Sequence, residues 1–272
     1  MCFGQSAGGA SALAMYASPL NKNYIKRLSL QSSVGLNSLV KETTMRQIQE
    51  KSIKFVVECG CKNIEEMRQL DANFLRDKND EMFGMFDGFS INIDGHILID
   101  YPIKSLINSK SNDLDIIIGC TADEGANDKE PMFGINLCAN IVALCKKSLE
   151  SNLSPLYAYV FSCKQPGDDV GVPHSCDNRY QFNTLDGSWR PYTNNDYELA
   201  RKMNKYWSNF AKTGNPNSNN LNKWLPYNKE NPQQMKFDID ECKMFDFNID
   251  TNGNIEKESN KLLEEYGRWD YV

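Results

Sequence analysis

The chain has 272 residues, 40% of them hydrophobic and 24% charged, enough for one large domain with a buried core and unlike any low-complexity or collagen-like composition. Its 30 basic and 36 acidic residues leave a net charge of −6, which disfavours a nucleic-acid partner. No apolar run approaches the roughly 18 to 20 residues that a membrane-spanning helix needs, and no basic-then-apolar N-terminal stretch marks a signal peptide.

In chain order, Met1-Cys2-Phe3 runs straight into Gly4-Gln5-Ser6-Ala7-Gly8-Gly9 with no strand before it. Ala10 to Tyr16 is a good helix former, stopped by Ser18-Pro19. Arg27 to Ser32 alternates like a short strand. Met45, Ile48, Ile53, Val56 and Val57 suit a helix between Glu42 and Val57, and a second, short helix spans Ile64 to Leu70. Residues 89–99 read as two strand-like runs around an Asp94-Gly95 turn. Leu114 to Gly119 is a nearly all-apolar strand of the kind buried in a parallel sheet, and Leu156 to Phe161 is another strand. Tyr197 to Lys212 is the clearest helix: Leu199, Met203, Tyr206, Trp207 and Phe210 share a stripe, and Gly214 stands ready to end it. Glu256 to Arg268 reads as a charged, solvated helix or tail. Strands alternating with helices argue for a layered α/β fold.

Nine cysteines include no pair of CxxC knuckles, and the only histidines are His96 and His174, so neither a zinc site nor any other metal or cofactor site is expected. Some of the thiols are candidates for disulfides, which form in oxidising compartments. The odd count leaves at least one free.

Gly4-Gln5-Ser6-Ala7-Gly8 is a G-x-S-x-G sequence ahead of a helix. That spacing suits a sharp strand-to-helix turn, on which small residues let the backbone pass closely and leave the serine hydroxyl exposed. The Ala7 N–H and the helix N-terminus can then stabilise an oxyanion. A serine nucleophile needs a base. His96, in the Asp-Gly turn, reads as a surface histidine, whereas His174 lies in the loop Gly171-Val172-Pro173-His174 after a strand. The acid should follow a strand too, and Glu124 follows Ile116-Ile117-Ile118-Gly119 by a short loop, with Asp123 its competitor. The order Ser6, Glu124, His174 is the Ser…acid…His order of α/β-hydrolases.

These residues resemble the type-B carboxylesterase/cholinesterase family. Phe3-Gly4-Gln5-Ser6-Ala7-Gly8-Gly9 is similar to its nucleophile elbow, where glutamate is usual in place of Gln5, and Leu30-Gln31-Ser32 to the following strand. Ile93-Asp94-Gly95, Asp100-Tyr101-Pro102 and Gly119 with Asp123-Glu124-Gly125 resemble the segment that delivers the acid. Val172-Pro173-His174 with Asp177, Tyr180 and Phe182 resembles the histidine loop, and Trp207 through Asn217 a C-terminal signature. The resemblance implies the triad Ser6, Glu124 and His174, with Glu124 rather than Asp123 as the acid. It further implies Ala7 as an oxyanion donor and a bridge between Cys138 and Cys242.

The fold it implies is a partial α/β-hydrolase: a mostly parallel sheet flanked by helices, with the N-terminal strands missing. Residues 1–250 would form the truncated esterase domain and 251–272 a charged C-terminal helix or tail. Glu124 and His174 are only 50 residues apart, so part of the usual helical cap looks deleted. The Gly-Gly loop that supplies further oxyanion donors is absent. The expected activity is hydrolysis of a small-molecule carboxylic ester through an acyl-enzyme, without cofactor, by a chain that is a fragment of a longer esterase. That parent is expected to be secreted or endomembrane, and Asn152-Leu153-Ser154 is a glycosylation candidate. The alternative is a cholinesterase-like binding or adhesion module, or a truncated remnant, without activity.

Overall fold

The computed structural model describes residues 1–21, 24–33, 43–84, 88–108, 114–124, 132–151, 153, 155–246 and 254–266, the side chains of 132–136 excepted. The elements are β1 (Cys2–Gln5), α1 (Ala7–Ala17), β2 (Arg27–Gln31), β3 (Thr43–Thr44), α2 (Met45–Glu58), α3 (Ile64–Met67), α4 (Ala72–Phe83) and β4 (Asn92–Ile93). They continue with α5 (Pro102–Ile107), β5 (Asp115–Thr121), α6 (Met132–Ser148), β6 (Leu156–Phe161), α7 (Asp177–Gln181), α8 (Asn194–Thr213), β7 (Gln233–Phe237), β8 (Cys242–Asp246) and α9 (Asn254–Tyr266). Among the described residues the main sheet has the order β1-β2-β5-β6-β7-β8. Every neighbouring pair is parallel except the last, β7 with β8.

Strands that are apolar on both faces fit a sheet covered on both sides by helices. In β5, Ile116, Ile118 and Cys120 face one core and Ile117 the other. In β6, Leu156 and Ala158 face the first core, while Tyr157, Tyr159 and Phe161 face the second. The first core is aliphatic and is closed by α1, α5, α6 and α9 through Leu13, Leu106, Leu144 and Leu262, among others. The second is aromatic, with Tyr206, Trp207 and Phe210 of α8 packed around Trp224 and Phe237. Its signature residues hold each other: Trp207 Nε1 donates to Ser29 Oγ at 3.0 Å, and the Asn217 amide closes on the backbone of Trp224.

Several expectations meet corrections here. The elbow does have its strand, because Cys2–Gln5 pairs in parallel with β2; four residues are too few to show a period. The Asp94 turn has only one flanking strand, the two-residue β4. The Asp94 carboxylate accepts the N–H groups of His96, Ile97 and Leu98, which turns the chain away from a hairpin. The charged C-terminal segment is a packed helix: Leu262 and Tyr266 of α9 are buried in the aliphatic core, and Lys146 of α6 reaches Ser259 and Asn260.

The cysteines are all free. Cys138 and Cys242, the pair that the resemblance implied, lie in different cores on opposite faces of the sheet and are not bridged. Cys138 instead sits 3.3 Å from the thiol of Cys120. The glycosylation candidate at Asn152 and Ser154 lies outside the described residues.

Candidate active site

Ser6 stands between β1 and α1 with φ 55° and ψ −129°, a strained conformation for a residue with a side chain. Its N–H donates to Gln31 O in the neighbouring strand at 2.9 Å, which ties the turn to the sheet. Gly4 is needed for the close approach, since a Cβ there would lie 2.1 Å from Gly8 O. Gly8 itself faces open space; the second crowded position is Gly9, whose Cβ would lie 2.0 Å from Ser33 Oγ. Ala7 is the first residue of α1 and exposed, so its N–H has no acceptor within the helix and is open to a ligand.

Glu124 follows β5 and is buried. Its Oε1 accepts the Thr121 N–H at 3.0 Å and the Thr121 hydroxyl at 2.9 Å, and its Oε2 meets His174 Nδ1 at 2.5 Å. Burial pushes this carboxyl up, but the His174 hydrogen bond and charge, with the Thr121 N–H, outweigh burial and hold it below the ordinary value. Asp123 does different work. Its Oδ2 accepts the Val172 N–H at 2.8 Å while its own N–H donates to Val172 O, which pins the histidine loop to the end of β5. Gly171, at φ 70°, permits this, because a Cβ would come 2.4 Å from Asp123 Oδ2.

His174 follows β6, its imidazole about one third exposed. With Nδ1–H donating to Glu124, its Nε2 faces outward, 3.0 Å from the amide nitrogen of Gln5. Among the described residues the Ser6 hydroxyl makes no hydrogen bond. Asp177, fully buried at the start of α7, is close enough to feel the imidazole charge, and its Oδ2 accepts from the Tyr159 hydroxyl at 2.8 Å. His96 is exposed in its turn, away from these groups.

The strands therefore bring Ser6, Ala7, Glu124 and His174 to one edge of the sheet. The roles of Thr121, Asp123, Asp177 and Gln5 were not legible as such. Their signal was proximity in sequence to a predicted site residue, which does not say where a side chain points.

A parallel sheet covered by helices, with a strained serine after one strand and an acid–histidine pair after two others, defines an α/β-hydrolase fold. A solved thermophilic pNB esterase superposes with a TM-score of 0.77 over 96% of this chain and 62% of that one, at 20% identity. The carboxylesterase family profile matches residues 1–136 and 132–257, and the chain belongs to that family. The para-nitrobenzyl esterase of Bacillus subtilis is 23% identical over 87% of this chain, and the human bile salt-activated lipase 24% over 84%. The chain spans 58% and 40% of those two proteins. The two profile segments meet at the start of α6, between Glu124 and His174, where the spacing is short.

Proposed function

We propose that Ser6, Glu124 and His174 form the catalytic triad of a serine carboxylic-ester hydrolase. The observation that carries this reading is the 2.5 Å contact of Glu124 Oε2 with His174 Nδ1, beside a serine held at φ 55°. Glu124 keeps the imidazole in the tautomer whose Nε2 is a base. That nitrogen takes the Ser6 proton as Oγ attacks the ester carbonyl, and the Ala7 N–H donates to the oxyanion. The imidazolium then protonates the leaving alcohol, and water, deprotonated by the same nitrogen, releases the acid. Esterases and lipases among the relatives agree with a carboxylic-ester substrate.

The same proposal takes the chain as part of a longer esterase. It is supported by the 58% span of the Bacillus subtilis relative and by the outer edge of β1, which has no strand partner among the described residues. Beside that edge, Met1, Phe3 and Phe182 are exposed around an apolar groove of about 220 Å³. The remaining oxyanion donors would come from the rest of that protein, whose secreted or endomembrane location belongs to the same proposal. Among the described residues no helix is long and apolar enough to cross a membrane.

Labelling with a fluorophosphonate ester probe, beside a Ser6→Ala control, tests the triad. Labelling that the control loses supports it. A folded chain that stays unlabelled, both alone and joined to its upstream half, would favour a non-catalytic module instead.

A further inference from the structure

The base has two nitrogens, and the geometry assigns each its own holder. Nδ1 is bound to Glu124 at 2.5 Å, and Nε2 lies 3.0 Å from the side-chain amide nitrogen of Gln5. Gln5 is the last residue of β1 and the one immediately before Ser6, so the same strand end presents both the nucleophile and the group that meets the base. We infer that Gln5 is a positioning residue for the base: its amide holds His174 Nε2 in the free enzyme, in competition with the Ser6 hydroxyl. The inference rests on the reading of His174 as the base.

An amide is suited to this because it carries a donor and an acceptor on one rotatable group. The NH2 end donates to Nε2 of the neutral imidazole. Turned over, Oε1 accepts from the Nε2–H of the imidazolium. The ring therefore keeps a partner in both protonation states, and no charge is added beside it. A carboxylate at this position could only accept, which would favour the imidazolium, and a methionine has no donor and only a weakly accepting thioether. The carboxylates whose charges act on the ring include Glu124, bound to Nδ1, and Asp177 beyond it in the chain, each hydrogen-bonded to a group other than Gln5. Substitution at Gln5 thus leaves the rest of the electrostatic surroundings in place.

The chain has only two histidines, which makes the test direct. Imidazole nitrogen and proton shifts of the whole chain are followed by NMR across pH for the native sequence, Gln5→Met and Gln5→Glu, with exposed His96 as the internal reference. The Gln5→Glu variant is expected to raise the His174 titration by about one to three pH units, as an opposite charge in contact does, and to leave His96 where it is. Gln5→Met is expected to change the His174 Nε2 shift through loss of its donor. Rates of Ser6 labelling by the fluorophosphonate probe should then follow the His174 titration in each variant, with Gln5→Met faster than the native chain at neutral pH because the competitor is gone. Identical His174 titrations and Nε2 shifts in all three chains would overturn the proposal, even where labelling still depends on Ser6. A His174 titration that moves with Gln5 in a chain that labels neither alone nor joined to its upstream half would uphold the contact and refute the hydrolase reading instead. A variant that fails to fold shows no dispersed His96 and His174 signals, and the other variant then decides.

Discussion

Asp177 gives the most direct handle on the energetics beneath the site. It is fully buried, its Oδ2 accepts from the Tyr159 hydroxyl, and its Oδ1 has no hydrogen-bond partner among the described residues. Burial pushes its carboxyl up from 3.8 to about 6, against the Tyr159 hydrogen bond and with the help of the Glu124 charge. An acid whose pKa is higher in the folded chain binds its proton more tightly there, so raising the pH favours unfolding. The penalty is absent below the unfolded value of 3.8, grows as the unfolded chain ionises first, and is complete above about 6. Two pH units correspond to ~3 kcal/mol, of which ~2 kcal/mol develops between about pH 4.5 and pH 7.5. An Asp177→Asn side chain can still accept from Tyr159 and never ionises. Urea unfolding of both chains at those two pH values should show the stability difference moving by about 2 kcal/mol in favour of the variant at the higher pH. The cost of burying the extra amide protons is the same at both pH values and cancels. A difference that does not change with pH would mean that Asp177 stays ionised in the folded chain, and would refute the reasoning.

Glu124→Gln keeps an oxygen for Thr121 but loses the charge that orients and stabilises the imidazolium; on the triad reading, Ser6 labelling at neutral pH should fall by about a thousand- to ten-thousandfold. Gly4→Ala drives a Cβ to 2.1 Å from Gly8 O, so thermal melts should show a loss of about 5 °C or more. Gly8→Ala, although equally part of the motif, meets nothing and should leave the melting temperature unchanged or raised by about 2 °C. Non-reducing peptide mapping of the folded chain should recover no Cys138–Cys242 linkage, since the sheet lies between them; a linked pair would overturn the assignment of those residues to opposite faces.

The parts of the fold that were legible are those where one segment's own pattern decides its state. The α8 stripe and the all-apolar β5 and β6 are of this kind, and each lies within three residues of its expected bounds. The parts that were not legible depend on partners elsewhere in the chain. β1 is a strand because β2 accepts it, and β8 because β7 does, yet neither carries a five-residue alternation strong enough to announce it. α9 reads as a solvated helix from its eight charged or amide side chains, but Ser259, Leu262 and Tyr266 are buried where it docks on α6. The cysteine pairing failed for the same reason: which face of the sheet a residue occupies is a long-range fact, and position along the chain does not carry it.

The sheet order explains why residues far apart in the chain, singled out from the sequence, arrive at one edge of the sheet. Ser6 follows β1, Glu124 follows β5 and His174 follows β6, three strands that run parallel within the contiguous order β1-β2-β5-β6. Parallel strands place their carboxyl ends on one edge, so a residue just past each strand arrives at the same edge whatever lies between. Glu124 and His174, the acid and base of the proposed triad, follow directly paired neighbours: Thr121, which anchors Glu124, is in register with Phe161. A crossover between neighbouring parallel strands needs little more than one helix, and α6, at 17 residues, supplies it. The 50 residues from Glu124 to His174 therefore meet the geometric requirement, even though the resemblance led to the expectation of a longer insertion. What the insertion could change is the cover over the site, and with it the choice of substrate, while the contact of Glu124 with His174 depends on the β5–β6 ladder and on the Asp123–Val172 hydrogen bonds that pin the histidine loop to it.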